Sequence, residues 1–183
     1  MTFLLAASNL LRMIARRVGQ VAAWCVVFLI LTVVLDVITR RFIVLGSTKL
    51  QDLEWHFHAA LFLLCLGYAY VEGEHVRIDV LHARFGPKTA AVIELIGATL
   101  FLAPFCIIVL SYGWGFVAHS FQLDEGSPSL TGLPHRWIVK SALLVGFATL
   151  LIAALSAITG SLATLLGAPP PRSHHDEHQE VGL

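Results

Sequence analysis

Four long apolar runs dominate the chain, at about residues 18–39, 53–71, 90–118 and 138–166, with short polar stretches between them. A hydrocarbon layer ~30 Å thick is crossed by about 20 helical residues, so each run is long enough, or nearly so, to span it. The pattern predicts an all-α integral membrane protein, with a single four-helix domain over residues 1–166. Three prolines at 169–171 and a His- and acid-rich stretch then predict a disordered tail over 167–183.

Each run has readable ends. Arg16 and Arg17 precede the first, and Arg40 and Arg41 follow it. Asp36 sits one turn from its end with Arg40 at i+4, so an ion pair near the headgroups is the expected resting place of its charge. Ahead of this run, Phe3, Leu10, Leu11, Ile14 and Val18 share one side of a helix, which predicts an N-terminal interfacial segment. It does not read as a cleavable signal, because the positive charge follows the apolar residues instead of preceding them. Trp55 opens the second run and Tyr68 and Tyr70 close it, as aromatic belts do. Asp52 with His56, and Glu54 with His58, are spaced to pair locally. Pro104 lies inside the third run and predicts a kink. The polar stretch Asp124–Pro134 must stand outside the hydrocarbon. In the fourth run Ala142, Gly146, Ala153, Ala157 and Ser161 form a stripe of small residues, suited to close helix packing.

Composition narrows the function. Only 13% of residues are charged, against about 25% in soluble domains, which leaves no room for a separate soluble domain. A formal net charge of zero argues against a nucleic-acid partner. Cys25, Cys65 and Cys106 each lie in a different apolar run and read as packing residues. Orientation follows from Lys and Arg. One side carries Arg12, Arg16, Arg17, Arg77, Arg84, Lys88 and Arg172; the other carries Arg40, Arg41, Lys49, Arg136 and Lys140. The richer side, with both termini and the middle loop, is assigned to the cytoplasm.

The middle loop carries the most specific string. His75, Arg77 and Asp79 alternate just before a short helix predicted from Ile78, Leu81 and Phe85, which Gly86 and Pro87 end. That helix reads as interfacial, lying at the cytoplasmic surface. The three charged groups suit either local ties or contact with a partner. Glu54-Trp55, Gly67 with an aromatic after it, His75-Val-Arg-Ile-Asp79, a Gly-Pro-Lys start to the third run, and Ser127–Pro134 followed by Trp137 together resemble the small, DctQ-like membrane subunit of tripartite ATP-independent periplasmic (TRAP) transporters. The likeness covers about residues 18–160, and Asp52–His58 looks like the branch named for mannitol and chloroaromatic compounds.

The resemblance implies a three-part bacterial importer in the inner membrane. A periplasmic solute-binding protein captures an organic acid or related solute. A large elevator-type subunit holds the substrate and sodium sites, and the small subunit braces it. By that account this chain is no enzyme and carries no cofactor, catalytic residue or metal of its own, sodium being expected in the large subunit. Besides membrane lipid, its expected contacts fall in two groups. Asp36, Glu54, Trp55, His75, Arg77, Asp79, Ala142, Gly146, Ala153 and Ala157 are the candidates for the large subunit. Arg40, Arg41, Lys49, Asp124, Glu125 and Arg136 are those for the binding protein.

The residues support a helper independently, since a transport path needs ionisable groups or broken helices at mid-membrane and these runs offer few. Two rivals are a haem-binding membrane anchor of a respiratory enzyme and a self-associating small channel or exporter. The first needs facing histidines at mid-bilayer, whereas His56 and His58 lie at the mouth of the second run and His119 and His135 beside the third loop. The second needs oligomers, since four helices this apolar enclose no wet path. His174, His175 and His178 have permissive metal spacing but read as part of a solvated tail.

Overall fold

The computed structural model describes residues 2–43, 46–73, 86–129 and 131–168. His75, Arg77, Asp79, the expected loop helix and the tail from Pro169 lie outside the described residues. Among those described, helices and short connections account for the chain and no strand occurs. Helix α1 covers Thr2–Ile38 and ends in a wide π turn over Thr39–Ile43. Helix α2 covers Thr48–Glu72 and stops at Gly73, whose φ of 79° is left-handed and whose N–H caps the carbonyls of Ala69 and Tyr70. Helix α3 (Pro87–Ile96) passes through a π stretch, Gly97–Leu102, into α4 (Ala103–Gln122). Helix α5 covers Trp137–Leu165.

Three stretches are long and apolar enough to cross a membrane: Thr2–Phe42, Lys88–Gln122 and Trp137–Leu165. The second expected span is a 25-residue helix, but it falls outside that set because His56, His58 and its polar ends dilute the run. The N-terminal segment is also not separate. It is the first part of α1, and Ser8 and Ala15 are buried there in line with Gly19 and Ala22. Ser8 Oγ donates to the Ser156 carbonyl at 3.0 Å, and Ser156 Oγ donates to the Ser8 carbonyl at 3.0 Å. This reciprocal clasp holds the start of α1 on α5. At Pro104 the helix is widened ahead of the proline, the Ala103 N–H reaching five residues back to Ala98. A wide turn absorbs the missing donor and the ring's bulk without breaking the helix.

α5 is the centre of the bundle, touching α1, α2 and the α3–α4 helix. α1 runs antiparallel to α2, with Gly19 under Tyr68 and Phe28 stacked on Phe57 at 5.6 Å. α2 runs parallel to α5, with Gly67 against Thr149 and Gly146 against Leu63. α4 runs antiparallel to α5, with Phe105 near Phe147 at 5.8 Å and Phe121 near Trp137 at 5.3 Å. The largest fully buried side chains are only Cys106, Ser8 and Ser120. Large apolar side chains point outward, and the helices meet by backbone approach over small residues.

A Cβ at Gly67 would lie 2.8 Å from the Thr149 carbonyl oxygen, a backbone atom that cannot move aside. Gly67→Leu is expected to lower stability by about 1–3 kcal/mol, as overpacking does. Gly115→Leu, where a Cβ meets nothing within 4 Å, is expected to be neutral. Thermal unfolding of the two purified variants in detergent checks the contrast.

Candidate partner interface

Polar side chains gather at two levels of the bundle. At the first, Arg16 grips Glu72 with two bonds, Nε to Oε1 at 2.6 Å and Nη2 to Oε2 at 3.2 Å. The Glu72 side chain is only 5% exposed, and a bidentate guanidinium is the partner that makes such burial tolerable. Nearby, Tyr70 donates to Glu94 Oε1 at 2.8 Å, tying α2 to α3. At the second level Arg40 donates to Asp36 Oδ2 at 2.5 Å, the pair expected from their spacing. Asp36 Oδ1 is buried with no hydrogen-bond partner. Asp52 and Glu72 mark the two levels on α2. They are 72 − 52 = 20 residues apart, or ~30 Å of helix, which equals the ~30 Å hydrocarbon thickness.

The second level is finished by a folded cap built from residues 123–129 and 131–136. Asp52, in the first turns of α2 and outside the apolar run, accepts the Leu133 N–H at 2.9 Å. Thr48 bonds Thr131 at 2.6 Å. The Ser127 N–H donates to the Leu133 carbonyl at 2.9 Å and the Arg136 N–H to the Glu125 carbonyl at 2.8 Å. Glu125 also accepts from the Lys140 ammonium, which lies 4.0 Å from the centre of the Phe116 ring. Asp124 and His135 both have left-handed backbone, φ 45° and 61°, and their side chains meet at 2.7 Å. At Gly132 a Cβ would run into Ser127 and the Asp52 carboxylate, so only glycine lets the cap sit this low. Burial opposes ionisation of Asp52, but the Leu133 N–H, the Ser127 hydroxyl, His56 and Arg136 outweigh it and hold the carboxyl below its usual range. Glu125 is held below its usual range chiefly by its hydrogen bond from Lys140.

These contacts redistribute the residues singled out from the sequence. Arg40, Arg41 and Lys49 stand exposed at the α1–α2 connection. Asp124 is also open, its side chain 70% exposed. Glu125 and Arg136 are engaged in the cap. Asp52 and His56 do not pair through the carboxylate; the His56 ring bonds the Asp52 carbonyl at 2.6 Å, which frees the carboxylate for the cap. His58 lies edge-on to Trp55 at 6.5 Å, while Glu54 is half-buried. Trp55 is 72% exposed.

Asp36 faces the interior. Ala142, Gly146 and Ala153 are buried within the chain, and Gly146 lies on the Leu63 backbone of α2. Ala157 is half-buried. Sequence reasoning missed Arg16–Glu72 and Ser8–Ser156, because partners 56 and 148 positions apart leave no local spacing. The small-residue line Ser8, Ala15, Gly19, Ala22 was the available signal for the second. Among the described residues no three His, Cys, Asp or Glu side chains converge on a metal position.

Residues 29–164 match the family model described as tripartite ATP-independent periplasmic transporters, DctQ component. No curated protein and no solved structure matches the chain.

Asp52 generates a pH prediction. Its folded-state pKa is depressed below 3.8, so its stabilisation is complete above that value and is lost as pH falls through the folded value. Pepsin cleavage within residues 123–136, scaled to an unfolded substrate, is expected to stay flat down to pH 3.8 and rise below it. Asp52→Leu is expected to cleave about fivefold faster than wild type at the upper end of that range, as loss of roughly 1 kcal/mol would give.

Proposed function

The chain belongs to the DctQ component family of the tripartite ATP-independent periplasmic transporters, and from that membership we propose a specific role for it as the small permease subunit. It braces a large elevator-type membrane subunit in a sodium-coupled, binding-protein-dependent importer of an organic acid or related solute. The observation that supports bracing over conduction is the interior of the bundle. Its largest fully buried side chains are Cys106, Ser8 and Ser120, and the ion pairs stand at the two end levels. A conducting path calls for ionisable groups or exposed backbone along a cavity at mid-membrane.

In this reading α2 is the fourth crossing, its Asp52 and Glu72 placed at the two headgroup levels. Four crossings put both termini on one side, and the excess of Lys and Arg there points to the cytoplasmic face of the bacterial inner membrane. With the small-residue stripe of α5 filled from within, the large subunit is met by outward apolar surface, for which α4 and the Trp55 turn of α2 are the candidates. The exposed cations Arg40, Arg41 and Lys49, with Asp124 beside the cap, are the candidates for meeting the soluble binding protein.

Two measurements test this. Vesicles holding this chain alone are expected to show no solute flux, and vesicles holding it with the large subunit and binding protein are expected to show sodium-dependent uptake; flux from the chain alone defeats the bracing role. Reversing Arg41 and Lys49 to Glu is expected to slow uptake roughly tenfold, as loss of charge steering does, with the amount of membrane complex unchanged. Uptake equal to wild type would move the docking contact elsewhere.

A further inference from the structure

One outward face of α2 does not suit lipid. Gln51, Trp55, His58 and Phe62 follow one another at steps of four, three and four residues, the heptad spacing that lines up one side of a helix for packing against another. All four are exposed, Trp55 at 72% and Phe62 at 64%, while another side of α2 lies on α5 through Leu63 and Gly67. Polar and aromatic residues alternate along the stripe. On α4, by contrast, the outward groups include Phe105, Ile107 and Ile108, which lipid tails can cover.

His58 is the informative member. It lies 58 − 52 = 6 residues inside Asp52, ~9 Å along the helix, and Asp52 stands at the headgroup level. An imidazole facing hydrocarbon at that depth must find a hydrogen-bond partner or bear the cost of going without one. His56 finds a partner at home, on the Asp52 carbonyl, and the outward Ser111 hydroxyl donates to the Ile107 carbonyl at 2.8 Å. His58 has no hydrogen bond or ion pair among the described residues; its ring contact is with Trp55, edge-on at 6.5 Å. The same residue helps to keep α2 below the apolarity of the three stretches that qualify as spans by themselves, as suits a helix whose outer face is turned to protein.

We infer that this stripe of α2 is a seam for a membrane helix of the large subunit, and that His58 is its polar anchor, bonded to a hydroxyl, amide or carboxylate side chain on that helix. Trp55 and Phe62 supply apolar contact on either side of the bond. Lipid tails are excluded as the occupant because they carry no donor or acceptor for the ring. The inference rests on the bracing role, since that role supplies the second membrane protein.

A photoreactive benzoylphenylalanine in place of Phe62, in the full complex in native membranes, is expected to cross-link to the large subunit. The same probe in place of Ile30 is the control. Ile30 is 55% exposed on α1 and lies 36 − 30 = 6 residues inside Asp36, and it is expected to give no such link. His58→Leu is expected to leave thermal unfolding of the chain alone unchanged, because His58 is exposed. It is expected to lower recovery of the large subunit in detergent roughly fivefold, as loss of one hydrogen bond between membrane helices does. His58→Gln, which keeps a donor and an acceptor, is expected to restore most of that recovery. Recovery with His58→Leu equal to wild type overturns the anchor. Equal labelling from Phe62 and Ile30, or a complex that forms with no link from Phe62, overturns the seam alone. A Phe62 probe that links to a second copy of this chain overturns the choice of partner. Wild type that recovers no large subunit defeats the bracing role itself, and this inference with it.

Discussion

Everything in this bundle depends on how closely α5 can approach its neighbours. Between helices in lipid there is no hydrophobic force to squeeze them together, because the tails are as apolar as the side chains; attraction comes from dispersion and from polar bonds at short range. Gly146 lies on the Leu63 backbone, Gly67 on Thr149 and Gly19 under Tyr68. Each of these contacts requires the absence of a side chain. The interior is therefore thin, and the bulky residues that a soluble protein would bury are turned outward. A bundle built this way is closely packed where these helices cross, which is the physical basis for proposing it as a support for another membrane protein.

The charges obey the same geometry. Glu72 is tolerated because Arg16 takes both its oxygens, and Asp36 because Arg40 sits one turn beyond it. These pairs define two polar levels, and Asp52 with Glu72 sets them about 30 Å apart along α2. At one level the polar chain is folded into a cap held by Asp52 and Glu125. Hydrogen bonds along the cap's backbone and the Asp124–His135 contact hold it in a set arrangement.

Much of this was legible in the sequence. The apolar runs at 53–71, 90–118 and 138–166 each coincide with a helical stretch to within a few residues at either end, while the run at 18–39 is the second part of a helix that begins at Thr2. The Asp36–Arg40 pair followed from i, i+4 spacing. The N-terminal segment was misread because its outward residues, Phe3 and Leu10, are those an interfacial helix would show, while the buried face is marked only by Ser8 and Ala15. The effect of Pro104 was located correctly but its form was not, since a π turn leaves no residue signature of its own. Asp52 was paired with the wrong group because its real partner, the Leu133 backbone, is 81 positions away.

The residues by themselves determined that this is a helical membrane protein with charge held to its ends, because the cost of charge and of unpaired backbone in hydrocarbon depends on residue type and run length, both local quantities. Only the tertiary structure decided which faces are spent inside the chain and which are left for others. The small-residue stripe of α5 could have met a partner or another helix of this chain equally well, and packing buried Ala142, Gly146 and Ala153 within the chain. The same packing set Tyr70 of α2 against Glu94 of α3 and gave Glu72 to Arg16, because these outcomes depend on how helices distant in sequence are arranged around one another.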